Sequence, residues 1–274
     1  MKQGRSKQPL ILPNQTGASG RGLNTGYFGL SSHPLHILLF LLPIIIVYEI
    51  GSTGLIGSGI ESRLEAQDML VRFFDLLGVL GLHLPAIALV VVLLLQHIMT
   101  KESWRVVPMV LLAMIAESAF LTGPLIILVI ILQPVIPAML IQANTEQAVV
   151  MDASSNEFLQ GIFLSFGAGL YEEMLFRLVL ITALHFVVTD VLSFKDKTGK
   201  IIAVVLSAIA FAWLHNGVYI PGSGLNVRLA LFYTLAGVYF GILFLSRGLG
   251  IAVGVHLMYD LLALVIMPGI QDPS

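Results

Sequence analysis

Residues 158–188 read FLQGIFLSFGAGLYEEMLFRLVLITALHFVV, an apolar run interrupted by charge only at Glu172, Glu173 and Arg177, near its middle. A run of this length exceeds the roughly 20 apolar residues that a helix needs to cross a bilayer. Charged side chains at that depth cost a few kcal/mol or more each, so a chain that keeps three of them there keeps them for a purpose. On a helix Glu173 and Arg177 are four apart, in the orientation that favours an ion pair. Glu172 lies about 100 degrees round from Glu173 and is the carboxylate that Arg177 neutralises less readily, which suits a general base acting on water. A buried ion pair that only pins helices together is the alternative reading of the same three residues.

The rest of the chain repeats the apolar theme. Of its 274 residues only 11% are charged, and uncharged runs stretch over 22–48, 76–100, 118–145 and 201–227. Soluble domains carry about a quarter charged residues, so an ordinary soluble fold is excluded. The mean hydropathy of +0.94 and the net charge of -2 exclude a disordered chain and a nucleic-acid binder as well. With no cysteine there is neither a disulfide nor a thiolate site.

Segmenting the apolar runs predicts an all-α polytopic membrane bundle. Its spans fall at about 35–50, 78–98, 106–141, 158–188, 201–215, 227–246 and 249–268, and residues 35–270 form one transmembrane domain. Residues 1–34, with Lys2, Arg5, Lys7 and Arg21 among Gly, Ser, Asn and Pro, read as a flexible basic tail and not as a signal peptide. Residues 61–81 carry apolar side chains at three- and four-residue spacing among charges, the pattern of an amphipathic helix lying along the surface. The stretch 106–141, with Gly123 and Pro124 in its middle, reads either as one bent span or as two short ones. Counted as one, it places the amino terminus, Lys101, Arg105, Lys195, Lys197, Lys200 and Arg247 on one side. The acidic stretch 142–157 then lies on the other. Seven crossings with the amino terminus inside is the expectation, and eight the alternative.

Two later spans carry polar groups of their own. FAWLHN places Phe211 and His215 four apart, and GVHLMYDLL places His256 and Asp260 four apart, where the carboxylate can orient or charge the imidazole. Three spans with polar groups, in a chain so poor in them, point to one shared interior site. Glu117, His83, His97 and His185 lack partners at helical spacing and read as interfacial or packing residues, and Glu49 closes the first span at the interface. Gly237 with Gly241, and Gly250 with Gly254, have the small-xxx-small spacing that lets the sixth and seventh spans approach closely.

The ordered trio, EExxxR at Glu172, Glu173 and Arg177, FxxxH at Phe211 and His215, and HxxxD at His256 and Asp260, resembles the CPBP family of intramembrane proteases. This is the family of the CAAX prenyl endopeptidase and the bacteriocin-processing and self-immunity proteins. The resemblance covers about 158–268, the expected catalytic core. It implies that Glu172 with His215 activates the attacking water and that Glu173 and Arg177 hold the glutamate pair. It also implies that His256 with the residue at 260 stabilises the oxyanion. The chain departs from similar members in having Asp260 where they have asparagine, and an ionised aspartate cannot donate a hydrogen bond. Asp260 could instead keep His256 charged or reach a metal. No cofactor is required by the sequence, but Glu172, His215 and His256 could supply a two-histidine, one-carboxylate set for a divalent metal such as zinc, although no HExxH demands one.

The leading expectation is an intramembrane endopeptidase in a bacterial cytoplasmic (inner) membrane. Its partners would be membrane lipids and a peptide or lipidated protein substrate, not nucleic acid. A catalytically silent membrane chaperone or immunity factor, and a proton-coupled transporter, are the competing readings.

Overall fold

In the computed structural model, which describes residues 26–53, 64–76, 78, 81–132 and 155–266, the described residues are helical apart from their connections and one short hairpin. The amino-terminal helices are α1 (Tyr27–Leu30), α2 (Pro34–Ser52), α3 (Glu65–Leu76), α4 (Leu84–Thr100), α5 (Pro108–Leu121) and α6 (Gly123–Leu132). Helix α7 (Ser155–Glu173) runs on through π-helical turns (Met174–Ile181), α8 (Thr182–Phe186) and further π turns (Val187–Val191). Then come α9 (Asp196–Trp213), the antiparallel pair β1 (Tyr219–Ile220) and β2 (Gly224–Leu225), α10 (Val227–Arg247), and α11 (Leu249–Asp260) with π turns at Leu261–Ile266. Of the expected basic tail, residues 1–25 lie outside the described residues, as does the part of the acidic stretch from 142 to 154.

Helices α2, α4 and α5 each begin with a proline in the first two positions, where its missing N–H is one that no helix could pair anyway. Of the stretch 106–141, expected as one bent span or two, the described part is one length: α5 and α6 meet at Thr122, whose backbone stays right-handed helical, and Pro108–Leu132 forms a continuous apolar length, while 133–141 lie outside the described residues. Pro124 falls in the first turn of α6 and so interrupts little. Among the described residues, four lengths are long and apolar enough to cross a bilayer: Pro34–Ser52, Pro108–Leu132, Phe158–Val191 and Val227–Arg247. Leu84–Thr100 and Leu249–Ala263 are apolar but shorter. The seven-span count requires both of these, and the part of α9 beyond Asp196, Lys197 and Lys200, to cross as well. The outer faces are as apolar as the inner ones, with Leu95, Ile98, Leu112, Phe120, Ile130 and Ile209 exposed, as lipid contact requires.

Helix α11 is the axis of the bundle. Ile251, Ala252, Val253 and Val255 are fully buried on all sides of it, and it packs against α2, α5, α7 and α10. The closest approach is to α7, because a Cβ at Gly169 would stand 2.9 Å from the backbone nitrogen of Leu257. Only glycine lets these two backbones meet. The glycine pairs expected to draw the sixth and seventh spans together serve other neighbours. Gly237 lies against Ala208 and Gly241 against Val204, both on α9, while Gly250 and Gly254 face Met114 and Ser118 on α5. Spacing marks a face that permits close approach but does not say which helix takes it.

Several polar residues find partners far away in sequence. Arg247 holds Glu117 in a bidentate pair, Nε to Oε1 at 2.6 Å and Nη2 to Oε2 at 2.8 Å, and also donates to Ser31. Tyr27 donates to the same carboxylate, tying α1, α5 and α10 together. Glu49 receives the Tyr171 hydroxyl and pairs with His83, His185 meets Asp196, and the His97 ring packs edge-on against Trp104. The amphipathic helix α3 buries Ala66, Gln67 and Leu70, and Tyr48 donates its hydroxyl to Gln67.

Candidate active site

Three helices bring the six expected residues together. Glu172 and Glu173 close the α-helical part of α7 at the point where it widens into π turns, and Arg177 lies within those turns. Such turns free backbone carbonyls, and one of them, that of Phe176, accepts from the buried Ser207 hydroxyl of α9 at 2.8 Å. This bond clamps α9 beside the glutamates. At the far end of α9 the chain leaves the helix, and His215 turns Nδ1 back to the Phe211 carbonyl at 2.7 Å. A carbonyl only accepts, so Nδ1 carries the proton and Nε2 is presented inward. It stands 3.6 Å from Glu172 Oε2.

From α11, His256 sets Nδ1 2.8 Å from Glu173 Oε1. Its Nε2 is 3.7 Å from Glu172 Oε2 and 3.5 Å from Asp260 Oδ2. The two glutamates are thereby sorted. Glu173 and Arg177 are completely buried, with Arg177 Nε 3.1 Å from Glu173 Oε2, whereas the side chains of Glu172, His215 and Asp260 retain 17%, 21% and 15% exposure. Glu173 supports the site from below, and Glu172 faces the open side.

The contact between Arg177 and Glu173 is an ion pair without hydrogen-bond alignment, and the guanidinium nitrogens meet no hydrogen-bond acceptor among the described residues. Aromatic rings surround the cation instead. Its central carbon lies 4.4 Å from the Phe211 ring centroid, 5.1 Å from that of Phe240 and 5.7 Å from that of Phe176. Ring faces attract a desolvated cation by about 2 kcal/mol or more. Phe240 also stacks on His256, with ring centroids 4.7 Å apart. The Tyr233 ring stacks on His215 at 3.9 Å with an interplanar angle of 28°.

Phe176, Phe240 and Tyr233 are the residues that reading the sequence missed. An aromatic in an apolar helix carries no signal that separates a site wall from lipid contact, so no pattern would have singled them out. Glu172, His215 and His256, the set that could supply zinc ligands, do converge, but among the described residues no group of three His, Asp or Glu side chains has the arrangement of a metal site.

A family match overlaps the segment expected at 158–268. Residues 154–262 match the family described as type II CAAX prenyl endopeptidase Rce1-like, which bears out the resemblance drawn from the three motifs. No curated protein and no solved structure matches the chain.

Proposed function

From a polytopic membrane protein whose residues 154–262 match the CAAX prenyl endopeptidase family, we propose an intramembrane endopeptidase that hydrolyses a peptide bond of a membrane-associated, lipid-modified peptide or protein. The observation that carries this reading is the position of Glu172 Oε2. It lies between His215 Nε2 and His256 Nε2, at 3.6 and 3.7 Å, and hydrogen-bonds to no side chain or backbone group among the described residues. An unspent buried carboxylate oxygen flanked by two imidazoles is an acceptor for water.

In the proposed cycle His215 Nε2 orients the water and the Glu172 carboxylate takes its proton as the oxygen attacks the peptide carbonyl. His256, when it carries both ring protons, donates from Nε2 to the oxygen that becomes negative. Glu173 holds His256 through Nδ1, and Arg177 holds Glu173. The tetrahedral species then collapses, and the departing amine receives the proton from Glu172. Every step uses side chains of this chain. The loop charges support a cytoplasmic amino terminus, with the site toward the face opposite to Lys195, Lys197 and Lys200, and the host membrane in this proposal is a bacterial inner membrane.

The test is to reconstitute the full chain in liposomes with a farnesylated CAAX peptide and a membrane-tethered peptide library. Peptides cut by the wild type and left intact by Glu172→Gln support the reading. Cleavage by both proteins alike, or by neither, overturns it.

A further inference from the structure

We propose that the phenolic hydroxyl of Tyr233 is a catalytic hydrogen-bond donor in this site, binding the oxyanion that forms as water attacks the substrate carbonyl. This rests on the hydrolytic reading above and supplies what that reading lacks. Negative charge develops on a carbonyl oxygen beside Glu172, Glu173 and Asp260, and ionised carboxylates only accept hydrogen bonds. The donors nearby are already engaged. His215 spends its Nδ1 proton on the Phe211 carbonyl, and His256 spends its own on Glu173. Arg177 is fully buried behind Glu173 and Phe211. Only His256 Nε2 remains among them, and the site needs a second donor.

Tyr233 stands beside these groups. It sits in the second turn of α10, half-buried, with its ring held parallel to the His215 imidazole at 3.9 Å. That stack places the phenol beside the imidazole that faces Glu172, and the hydroxyl lies within electrostatic reach of both Glu172 and Asp260. Buried tyrosine hydroxyls ordinarily find a partner. Those of Tyr27, Tyr48, Tyr171 and Tyr239 donate to Glu117, Gln67, Glu49 and the Leu121 carbonyl. Among the described buried or half-buried tyrosines only Tyr233 and Tyr259 make no such donation, and of the two only Tyr233 stacks on His215 and interacts with Glu172. A neutral donor left unspent among the described residues, beside His215 and within reach of two carboxylates, is suited to an anion that exists only during turnover.

The step balances. The water oxygen bonds to the carbonyl carbon, its proton passes to Glu172, and the carbonyl π pair moves onto oxygen, where the Tyr233 O–H donates without transferring its proton. On collapse the pair re-forms the double bond, the C–N bond breaks, and the amine nitrogen takes the proton from Glu172.

The experiment compares wild type, Tyr233→Phe, Tyr233→His and Tyr239→Phe as full chains in liposomes, on a peptide that the wild type cuts and Glu172→Gln does not. Tyr233→Phe keeps the stacked ring and is expected to lower kcat per folded molecule by roughly 10²–10³-fold with KM little changed. Binding of a peptidyl phosphonate, which mimics the tetrahedral species, is expected to weaken in parallel. Tyr233→His, which retains a ring and an N–H donor, should keep more of the rate, and Tyr239→Phe should keep all of it. Asp260→Asn introduces a permanent amide donor, so the double variant with Tyr233→Phe should lose less than the product of the two single losses. If Tyr233→Phe turns over at the wild-type rate per folded molecule while Glu172→Gln is dead, the Tyr233 assignment is wrong and the hydrolytic reading stands. If Glu172→Gln itself cleaves normally, the hydrolytic reading falls and this inference falls with it.

Discussion

Glu173 Oε1 lies 2.8 Å from His256 Nδ1, so one fully buried carboxylate joins α7 to α11 while its other oxygen meets Arg177. A group with two partners on two helices acts on stability and geometry together. Glu172, on the open side, lies within 4 Å of His215 and His256.

The two glutamates are therefore expected to respond differently. Glu172→Gln should reduce turnover by about 10²-fold or more with the melting temperature nearly unchanged. Glu173→Gln should lower turnover and also destabilise by about 3–5 kcal/mol, because it strands a buried guanidinium and loosens His256. Thermal unfolding in detergent read beside peptide cleavage checks both. Equal stability losses, with activity retained in the first variant, would mean an ion-pair network with no catalytic role.

Asp260 sits 3.5 Å from the nitrogen of His256 that faces Glu172. If it acts through its charge on His256, Asp260→Asn should cost about tenfold in rate, equivalent to about 1.4 kcal/mol of transition-state stabilisation. Unchanged rates in both Asp260→Asn and Asp260→Ala would remove the residue from the site. A chelator should leave the rate unaltered. Loss that added zinc restores would replace the proposed water activation with a metal-bound one.

Gly169 predicts a purely geometric failure. A methyl group there meets the backbone of Leu257 at 2.9 Å, and backbone cannot yield as a side-chain tip can. Gly169→Ala is expected to cost about 1–3 kcal/mol of stability and to lower turnover, since it separates Glu172 and Glu173 from His256. A variant with wild-type stability and rate would show that α7 and α11 pack less closely than described.

Crossing by α9 can be read by chemical labelling, because the chain has no cysteine of its own. The helix from Asp196 to Trp213 is about 27 Å long. Cysteines placed at Lys197, in its first turn, and at Ser223, in the hairpin that follows it, are expected to react with a membrane-impermeant reagent from opposite faces of sealed vesicles. Reaction of both from one face would reduce the number of spans below seven.

The membrane class and the helical content were legible in the chain itself, and so were the six residues that the structure brings together. A long apolar run has only one economical fate in lipid, and each charge within it must be there for a reason strong enough to offset desolvation. The pairing of Glu173 with Arg177 was legible too, because residues four apart on a helix are neighbours whatever the rest of the protein does. Which helix packs on which was not. Gly237 faces Ala208 on α9 rather than α11. Glu117, without a helical partner, finds Arg247 130 residues away, and Glu173 finds His256 at a separation of 83. The Phe211 and Phe240 faces over Arg177, and the Tyr233 ring over His215, arise where helices cross. Local periodicity reports the face a residue occupies on its own helix; the crossing of that face with another is set by packing over the whole bundle, and only the tertiary structure decides it.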